Sequence, residues 1–149
     1  MVNTLVKLSF ITAQLTDVPF LLALRRVTMT EYLVNAGFEI NDDYHLARIN
    51  EAFQDSLLIK LDDENIGLIK LSKKNVRLHI RQLQILPQFQ NKGIGGRVID
   101  VVIKKAKQLG LPVTLNVLLN NPAQKLYLAK GFQVIGETDI EYQMQYSLD

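Results

Sequence analysis

Three glycines lie within four positions of the chain, at Gly93, Gly95 and Gly96, shortly after an apolar strand that ends at Leu86. Pro87 stops the strand, because proline has no N–H to give to a sheet ladder. A strongly periodic helix begins directly after the glycines. Glycines let a ligand approach the backbone closely, and a helix N-terminus presents N–H groups to an anion. The spacing therefore predicts a turn that binds a diphosphate; the alternative is a flexible joint between a strand and a helix.

Two other phosphate-binding turns match this segment less well. Residues 93–97 read GIGGR, so the lysine and hydroxyl that a P-loop places after its last glycine are missing. The G-x-G-x-x-G spacing of a dinucleotide-binding turn is missing as well. A nucleotide therefore stays an alternative ligand of this turn, and competition binding experiments would test it.

Composition excludes several classes of function. The 149 residues predict one domain, and a net charge of +2 is too small for a nucleic-acid-binding surface. The chain has no cysteine and two histidines, so no metal site and no cysteine nucleophile are expected. The longest apolar run, residues 18–24, is far shorter than the ~20 residues that span a bilayer. Residues 1–10 do not resemble a signal peptide, which predicts no membrane association and a cytoplasmic protein.

The periodicity of apolar residues predicts the element order β, α, α, β, β, β, α, β, α, β, β. The first helix begins near Thr16 or Asp17, with Pro19 in its first turn, and carries a stripe that reaches Val27. Asn41 starts a second helix, whose stripe runs to Phe53. Strands are predicted at residues 7–12, 56–61, 66–71, 76–85, 113–118, 132–135 and 140–146, with polar turns at 62–65 and 72–75 and a long helix with an apolar stripe at 98–109.

The strand at 76–85 contains an irregularity in its alternation. Its apolar residues on one face are Val76, Leu78 and Ile80, followed by Leu83 and Ile85. One residue is therefore inserted near Arg81 or Gln82, as in a β-bulge, which bends a strand and often lies beside a site. The alternative is an edge strand with an imperfect pattern.

Two segments in this order resemble the GNAT superfamily of N-acetyltransferases. Residues 90–95, QNKGIG, match its acetyl-CoA-binding turn Q/R-x-x-G-x-G/A, and residues 85–87 match the hydrophobic-x-Pro that ends its preceding strand. A later segment, N-x-x-A-x-x-L-Y-x-x-x-G-F, is matched at every fixed position by Asn120, Ala123, Leu126, Tyr127, Gly131 and Phe132. The family's fourth strand also carries a bulge, and the resemblance covers nearly the whole chain.

The resemblance implies an α/β fold: one mixed, mostly antiparallel central sheet of about seven strands flanked by about four helices, in a single N-acetyltransferase domain at 1–149. It implies acetyl-CoA as co-substrate and no metal. Backbone N–H groups of the glycine turn would bind the diphosphate, and the backbone of the fourth strand would pair with the pantetheine amides. The positions implied for the cofactor are Ile85, Leu86, Pro87, Gln90, Asn91, Lys92, Gly93, Ile94, Gly95, Gly96, Arg97, Asn120 and Tyr127.

Tyr127 is implied as the general acid that protonates the departing CoA thiolate. Without the resemblance, it would be a half-buried helix residue packed among apolar neighbours. Asn120 can cap the short helix that Pro122 begins, and the resemblance adds a hydrogen bond from its side chain to the pantetheine arm. Arg97 could neutralise phosphate charge or be a solvated surface residue. Because the chain has no cysteine, a cysteinyl acyl-enzyme is excluded and direct transfer is expected.

The general base is not identified by the sequence. The candidates are Glu31, Glu39, His45, His79 and Glu141. We rank Glu39 and His45 first, both as candidate bases and as substrate contacts, because the region between the first two helices usually forms the acceptor site in this family. The prediction is therefore an N-acetyltransferase that acts on a primary amine of a small molecule or peptide, with a homodimer among the expectations of the family. The alternative is a non-catalytic module that binds acetyl-CoA as a sensor.

Overall fold

The structure is a computed structural model, and it describes residues 7–148. The sequence-based expectation that residues 1–10 are not a signal peptide falls largely outside this range. Within it, seven strands and four α-helices follow the predicted order. The strands are β1 Leu8–Thr12, β2 Ser56–Leu61, β3 Glu64–Lys73, β4 Leu78–Ile85, β5 Val113–Leu118, β6 Gln133–Glu137 and β7 Glu141–Tyr146, and the helices are α1 Val18–Asn35, α2 Asp42–Asn50, α3 Ile94–Leu109 and α4 Gln124–Ala129.

Over the described residues, the strands form one seven-stranded sheet in the order β1-β2-β3-β4-β5-β7-β6. Every neighbouring pair is antiparallel except β4 and β5, which are parallel. One apolar cluster packs α3 and α4 against the sheet through residues such as Val98, Ile99 and Phe132, and a second packs α1 and α2 through Leu24 and Ile49. Helices therefore cover the sheet in two separate layers, as the predicted fold requires.

A β-bulge in β4 confirms the irregularity seen in the sequence. Opposite β3, Lys70 pairs with Gln82 and the next residue, Leu71, pairs with Ile80, so Arg81 is the extra residue. The insertion moves the apolar alternation by one position. β4 pairs with β5 only over residues 78–80, which face residues 113–115. Beyond the bulge the two strands separate, and the sheet is open between them.

Several local predictions differ from the structure, among them the start of β4, which is Leu78 rather than Val76. The first hairpin loop has two residues rather than four, because Leu61 already pairs with Glu64. Val27 is 55% exposed, because the buried side of α1 is formed by other residues. Phe53 belongs to a 3-10 turn after α2, not to the helix. α4 begins at Gln124 rather than at Pro122, because residues 121–123 form a turn before it.

Candidate functional site

A cavity of about 440 Å³ lies where β4 and β5 separate. The two strands line it with residues 79–84 of β4 and 116–118 of β5. Tyr127 of α4 is a further lining residue. The first two helices and the segments beside them contribute Arg25, Met29, Leu33, Phe38, Tyr44, Arg48 and Glu51, and the remaining lining residues are Asn121, Ile140 and Glu141. An extended ligand that enters between the two strands would therefore meet the α1–α2 layer inside the cavity.

The end of β4 presents backbone groups toward this opening. The N–H of Leu86 donates to the carbonyl of Ile66 on β3 at 2.8 Å. Because an antiparallel strand alternates the side to which its polar groups point, the N–H and carbonyl of Ile85 face away from β3. The carbonyl of Ile85 accepts a hydrogen bond from the side chain of Gln90 at 2.8 Å. The N–H of Ile85 is thus directed to the place where a strand-like ligand could pair.

The glycine turn positions the start of α3. Pro87–Phe89 forms a 3-10 turn, and the chain then takes positive φ values at Asn91 (60°) and Gly93 (79°). The first helical bond runs from the N–H of Arg97 to the carbonyl of Gly93, so the N–H groups of residues 94–96 have no helical acceptor. These three groups can bind an anion. Gln90 was also expected to contact the cofactor, but its backbone N–H already donates to the carbonyl of Pro87 at 3.1 Å.

Gly95 and Gly96 have a packing role that the sequence analysis missed. A Cβ at Gly95 would lie 3.1 Å from a methyl group of Leu126, and one at Gly96 would lie 3.1 Å from Cε of Lys130. Both neighbours belong to α4 or directly follow it. The two glycines therefore let α3 and α4 pack closely. A Cβ at Gly93 would meet no atom within 4 Å, so that glycine serves the backbone conformation instead.

Positive side chains surround the glycine turn. Arg97 is exposed in the first turn of α3, and the ammonium of Lys92 lies 6.0 Å from the ring centroid of Phe89. Lys130 also lies beside the turn but forms an ion pair with Asp100 at 2.9 Å. Of these, Arg97 and Lys92 are the cations placed to meet the charge of a bound diphosphate.

Tyr127 is 6% exposed and lies at the cavity. Its ring packs against Phe132 with 5.9 Å between centroids, which fixes its orientation. Burial disfavours the phenolate, and this raises the pKa of Tyr127 to about 12. The hydroxyl is therefore fully protonated at neutral pH and can act as a hydrogen-bond and proton donor. The same shift makes it a weaker acid than a solvated tyrosine.

Asn120 does not cap α4, which corrects the prediction. Its side-chain amide donates to the carbonyl of Tyr32 in α1 at 3.3 Å. The oxygen of the Asn121 side chain accepts from the N–H of Ala123 at 2.9 Å, and Asn121 rather than Asn120 lines the cavity. The two asparagines therefore differ in role: Asn120 connects the segment before α4 to α1 through a hydrogen bond, and Asn121 stabilises the turn at residues 121–123.

The structure separates the candidate bases into two groups. His79 and Glu141 line the cavity, whereas Glu31 and Glu39 are exposed and lie outside its lining. His79 accepts or donates a hydrogen bond at 2.7 Å with the hydroxyl of Thr114, and burial together with nearby Arg77 lowers the pKa of its imidazole. His79 is therefore neutral at pH 7 and able to accept a proton.

His45 is buried and both of its ring nitrogens are engaged. Nδ1 accepts from Nε of Arg25 at 3.2 Å, and Nε2 lies 2.9 Å from the hydroxyl of Thr30. Because an arginine only donates, Nδ1 must be the unprotonated nitrogen and Nε2 carries the hydrogen. Burial and the charge of Arg25 lower the pKa of His45 and keep it neutral. His45 therefore has no free lone pair for catalysis, and the ranking of Glu39 and His45 as substrate contacts does not match their positions.

Four charged residues of the cavity were not singled out from the sequence: Arg25, Arg48, Glu51 and Arg81. The carboxylate of Glu51 is shared, since Arg48 and Arg81 each approach one of its oxygens to 3.2 Å. The sequence contained two signals for them: the bulge predicted near Arg81, and an arginine at position 25 beside Leu24 of the α1 stripe. The other two belong to α2 and its end, which only the fold brings together with these.

Within residues 7–148, no group of three or more His, Cys, Asp or Glu side chains is arranged to hold a metal ion. None of the helices in the same range is long and apolar enough to cross a membrane.

Comparison with family models identifies the family of the chain. The family model described as "Acetyltransferase (GNAT) family" matches residues 21–132, which is more than half of the chain. No curated protein matches the sequence at a significant level. Solved structures match over nearly the full length, although their sequences are too different to indicate more than a shared fold.

Three of these structures illustrate the likeness. The PaiA N-acetyltransferase of Thermoplasma acidophilum, solved in complex with coenzyme A, has a TM-score of 0.75 at 18% identity, covering 95% of this chain and 99% of its own. Naa50 of Arabidopsis thaliana, bound to the bisubstrate analogue CoA-Ac-MVNAL, has a TM-score of 0.67 at 22% identity, with coverages of 95% and 99%. The ribosomal-protein-S18-alanine N-acetyltransferase of Escherichia coli has a TM-score of 0.69 at 14% identity, with coverages of 96% and 96%.

Proposed function

The chain belongs to the GNAT acetyltransferase family, and from this premise we propose that it transfers an acetyl group from acetyl-CoA to a primary amine by direct attack in a ternary complex. The observation that carries the proposal is the position of Tyr127, which lines the cavity formed where β4 and β5 separate and whose hydroxyl is protonated at neutral pH. One opening thus combines a strand edge for an extended ligand with a proton donor for a leaving group.

The residues around the opening fit coenzyme A. The unbonded N–H groups of residues 94–96 lie at the positive end of α3, with Arg97 and Lys92 beside them, and they would bind the diphosphate. The outward N–H of Ile85 would pair with the pantetheine arm in the manner of an added strand. When bound, acetyl-CoA supplies the acetyl group in the reactive form of a thioester.

The reaction then requires the protein to assist two proton transfers, one to the leaving sulfur and one from the attacking amine. The nitrogen of the amine forms a bond to the acetyl carbon as the carbon–sulfur bond breaks, and Tyr127 donates its proton toward the departing sulfur. The attacking amine must lose a proton, and neutral His79 or Glu141 can accept it from inside the cavity, directly or through water. The chain contains no cysteine, so no cysteinyl acyl-enzyme intervenes.

Titration calorimetry with acetyl-CoA tests the cofactor site, with Arg97→Glu as the variant. An acidic residue in the first turn favours the helix dipole, so the variant should fold, yet it should repel the diphosphate and weaken binding by about tenfold. Lys104→Glu is the matched control, because it makes the same charge change at an exposed position of α3. Failure of the wild-type protein to bind acetyl-CoA would contradict the proposal. Binding with only slow hydrolysis across a broad amine panel would favour the sensor alternative.

The expected homodimer also stays a proposal. β6 lies at the edge of the sheet and exposes Val134 (47%) and Ile135 (58%), which gives a second copy a strand edge with apolar side chains. Light scattering over a range of concentrations tests it. A mass of one chain at every concentration would exclude the dimer.

A further inference from the structure

Arg25 of α1 lines the cavity, and among residues 7–148 no carboxylate lies within ion-pair distance of its guanidinium. The residue is 3% exposed. Among the described residues its hydrogen bond goes to His45 alone, and that imidazole is neutral. A buried charge without a counter-ion is costly, so a bound anion that pairs with it would recover part of that cost.

The neighbours of Arg25 strengthen this conclusion. Arg48 lies close enough to disfavour its charge further, and burial with Arg48 lowers the pKa of Arg25 to about 10. The guanidinium nevertheless stays charged at neutral pH. Glu51, the carboxylate whose charge acts on Arg25, is already shared between Arg48 and Arg81. Two neighbouring guanidinium groups, those of Arg25 and Arg48, therefore lie at the cavity, and the one carboxylate near them is also paired with Arg81.

The charges that line the whole cavity also show an excess of positive charge. Three arginines and two glutamates line it, namely Arg25, Arg48, Arg81, Glu51 and Glu141, so one positive charge is left over. His79 is neutral and does not alter the balance. A bound carboxylate carries one negative charge and would offset this excess.

The diphosphate of coenzyme A is not the missing anion. The glycine turn that would bind it, residues 87–97, contributes nothing to the cavity lining among the described residues. Arg25 instead lies in the layer of α1 and α2, with the apolar side chains of Met29, Leu33 and Phe38 beside it. This is the side from which an acceptor would approach the end of the pantetheine arm.

We propose that the acceptor is a small primary amine that also carries a carboxylate, as an amino acid with an apolar side chain does, and that Arg25 and Arg48 bind this carboxylate. The inference rests on the proposed function and adds the substrate class. Arg25 supplies a planar fork of donors suited to a carboxylate, and Arg48 supports it from α2. The apolar residues of α1 would contact the side chain of the acceptor.

Acetylation of matched acceptors tests the proposal. Leucine, methionine and phenylalanine are compared with their carboxamides, with the amines that lack the carboxyl group, and with aminomethylphosphonate. Loss of a charge-assisted pair should lower kcat/KM by about 10- to 100-fold for the carboxamides and simple amines. Equal or better transfer to acceptors without a carboxylate would overturn the substrate class and leave the acetyltransferase function standing, and a preference for the phosphonate would replace the carboxylate with a different anion.

Variants assign the effect to the cavity. Arg25→Gln should raise KM for the carboxylate acceptors by about 10- to 100-fold and remove their advantage over the carboxamides, with KM for acetyl-CoA unchanged. Arg26→Gln is the matched control, because Arg26 is adjacent in sequence but exposed and paired with Asp42. Should Arg25→Gln fail to fold by circular dichroism, Arg48→Gln takes its place, since that side chain is 39% exposed. An unchanged preference in the folded variant would contradict the assignment.

A binding measurement covers the case in which no acceptor of the panel is acetylated. N-acetyl-leucine, N-acetyl-methionine and N-acetyl-phenylalanine, with their carboxamides, are titrated into protein saturated with coenzyme A. Saturable binding of the acids that Arg25→Gln weakens would support the proposal, and binding of none of them would overturn it. Failure to bind coenzyme A or acetyl-CoA at all would instead count against the acetyltransferase function, so the two failures are distinguishable.

Discussion

Ile80 of β4 and Leu115 of β5 are the last residues that pair across the parallel junction of the sheet, and Arg81, the bulged residue, comes immediately after Ile80. The bulge bends β4 away from β5 at the point where the ladder stops. A single inserted residue therefore opens the cavity, and it also turns Gln82 toward α2, where its side-chain amide donates to the carbonyl of Arg48 at 3.0 Å. The inserted residue in β4 therefore accounts both for the opening between β4 and β5 and for the contact of β4 with α2.

Replacement of Tyr127 by phenylalanine should lower kcat by about 100-fold while the dissociation constant for acetyl-CoA stays within about threefold. The reason is that phenylalanine keeps the packing against Phe132 and loses only the proton donor. Steady-state kinetics and calorimetry measure the two quantities. Tyr146→Phe is the control, because Tyr146 also packs against Phe132 but does not line the cavity. An unchanged kcat in Tyr127→Phe would remove this residue from the acid role.

The raised pKa of Tyr127 has a consequence at alkaline pH. The folded protein holds the phenol proton up to a pH of about 12, whereas the unfolded chain releases it near 10. The folded state therefore binds more protons in this interval, and its free energy of unfolding should fall as pH rises from 10 to 12. Urea unfolding of the wild type and Tyr127→Phe checks this, because the variant should lack that part of the fall. Parallel curves for the two proteins would mean that the phenol is not desolvated.

Lys70 stabilises the wall of the cavity from inside the sheet. It is 1% exposed, and its ammonium donates to the carbonyls of Arg48, Ile49 and Glu51 at 3.0, 3.0 and 2.7 Å. Lys70→Met should lower the free energy of unfolding by about 2 kcal/mol, since it leaves carbonyls at the end of α2 without a donor. Denaturant unfolding measures the loss. Lys73→Met, at the exposed end of the same strand, should change stability by less than about 0.5 kcal/mol.

Gly95 and Leu126 should be energetically coupled. A methyl group at position 95 would press on Leu126 at 3.1 Å, and this contact opposes the gain of up to about 1 kcal/mol that alanine brings to a helix. Gly95→Ala should therefore be neutral or destabilising in the wild type but stabilising in a Leu126→Ala background. The double-mutant cycle should give a coupling of about 1–2 kcal/mol. Additive effects would show that α3 and α4 do not pack as tightly as the structure indicates.

Much of the fold could be predicted because it depends on local chemistry. The alternation of apolar residues predicted the strands, including 56–61 and 113–118 with their observed bounds, and the slip near Arg81 predicted the bulge. The helix predicted to reach residue 109 does end there, and Gly110 directly after it has a φ of 70°, a left-handed conformation that glycine adopts at low cost. The predicted helix cap at Asn120 was wrong because a neighbouring side chain forms the local hydrogen bond instead. The side chain of Asn121 accepts from the N–H of Ala123 before α4 begins.

The order of elements, the glycine turn and the position of Tyr127 in its motif are all readable from the sequence, because each is recorded in residues that are neighbours along the chain. Which charges meet depends on the folded chain. Arg25, Arg48 and Arg81 belong to three different elements, and no periodicity relates them. Folding also withdrew His45 from solvent and engaged both of its nitrogens, which removed a candidate base that the sequence had favoured. Charge balance in a cavity is a property of through-space distance and burial, so the unpaired guanidinium is visible only in three dimensions.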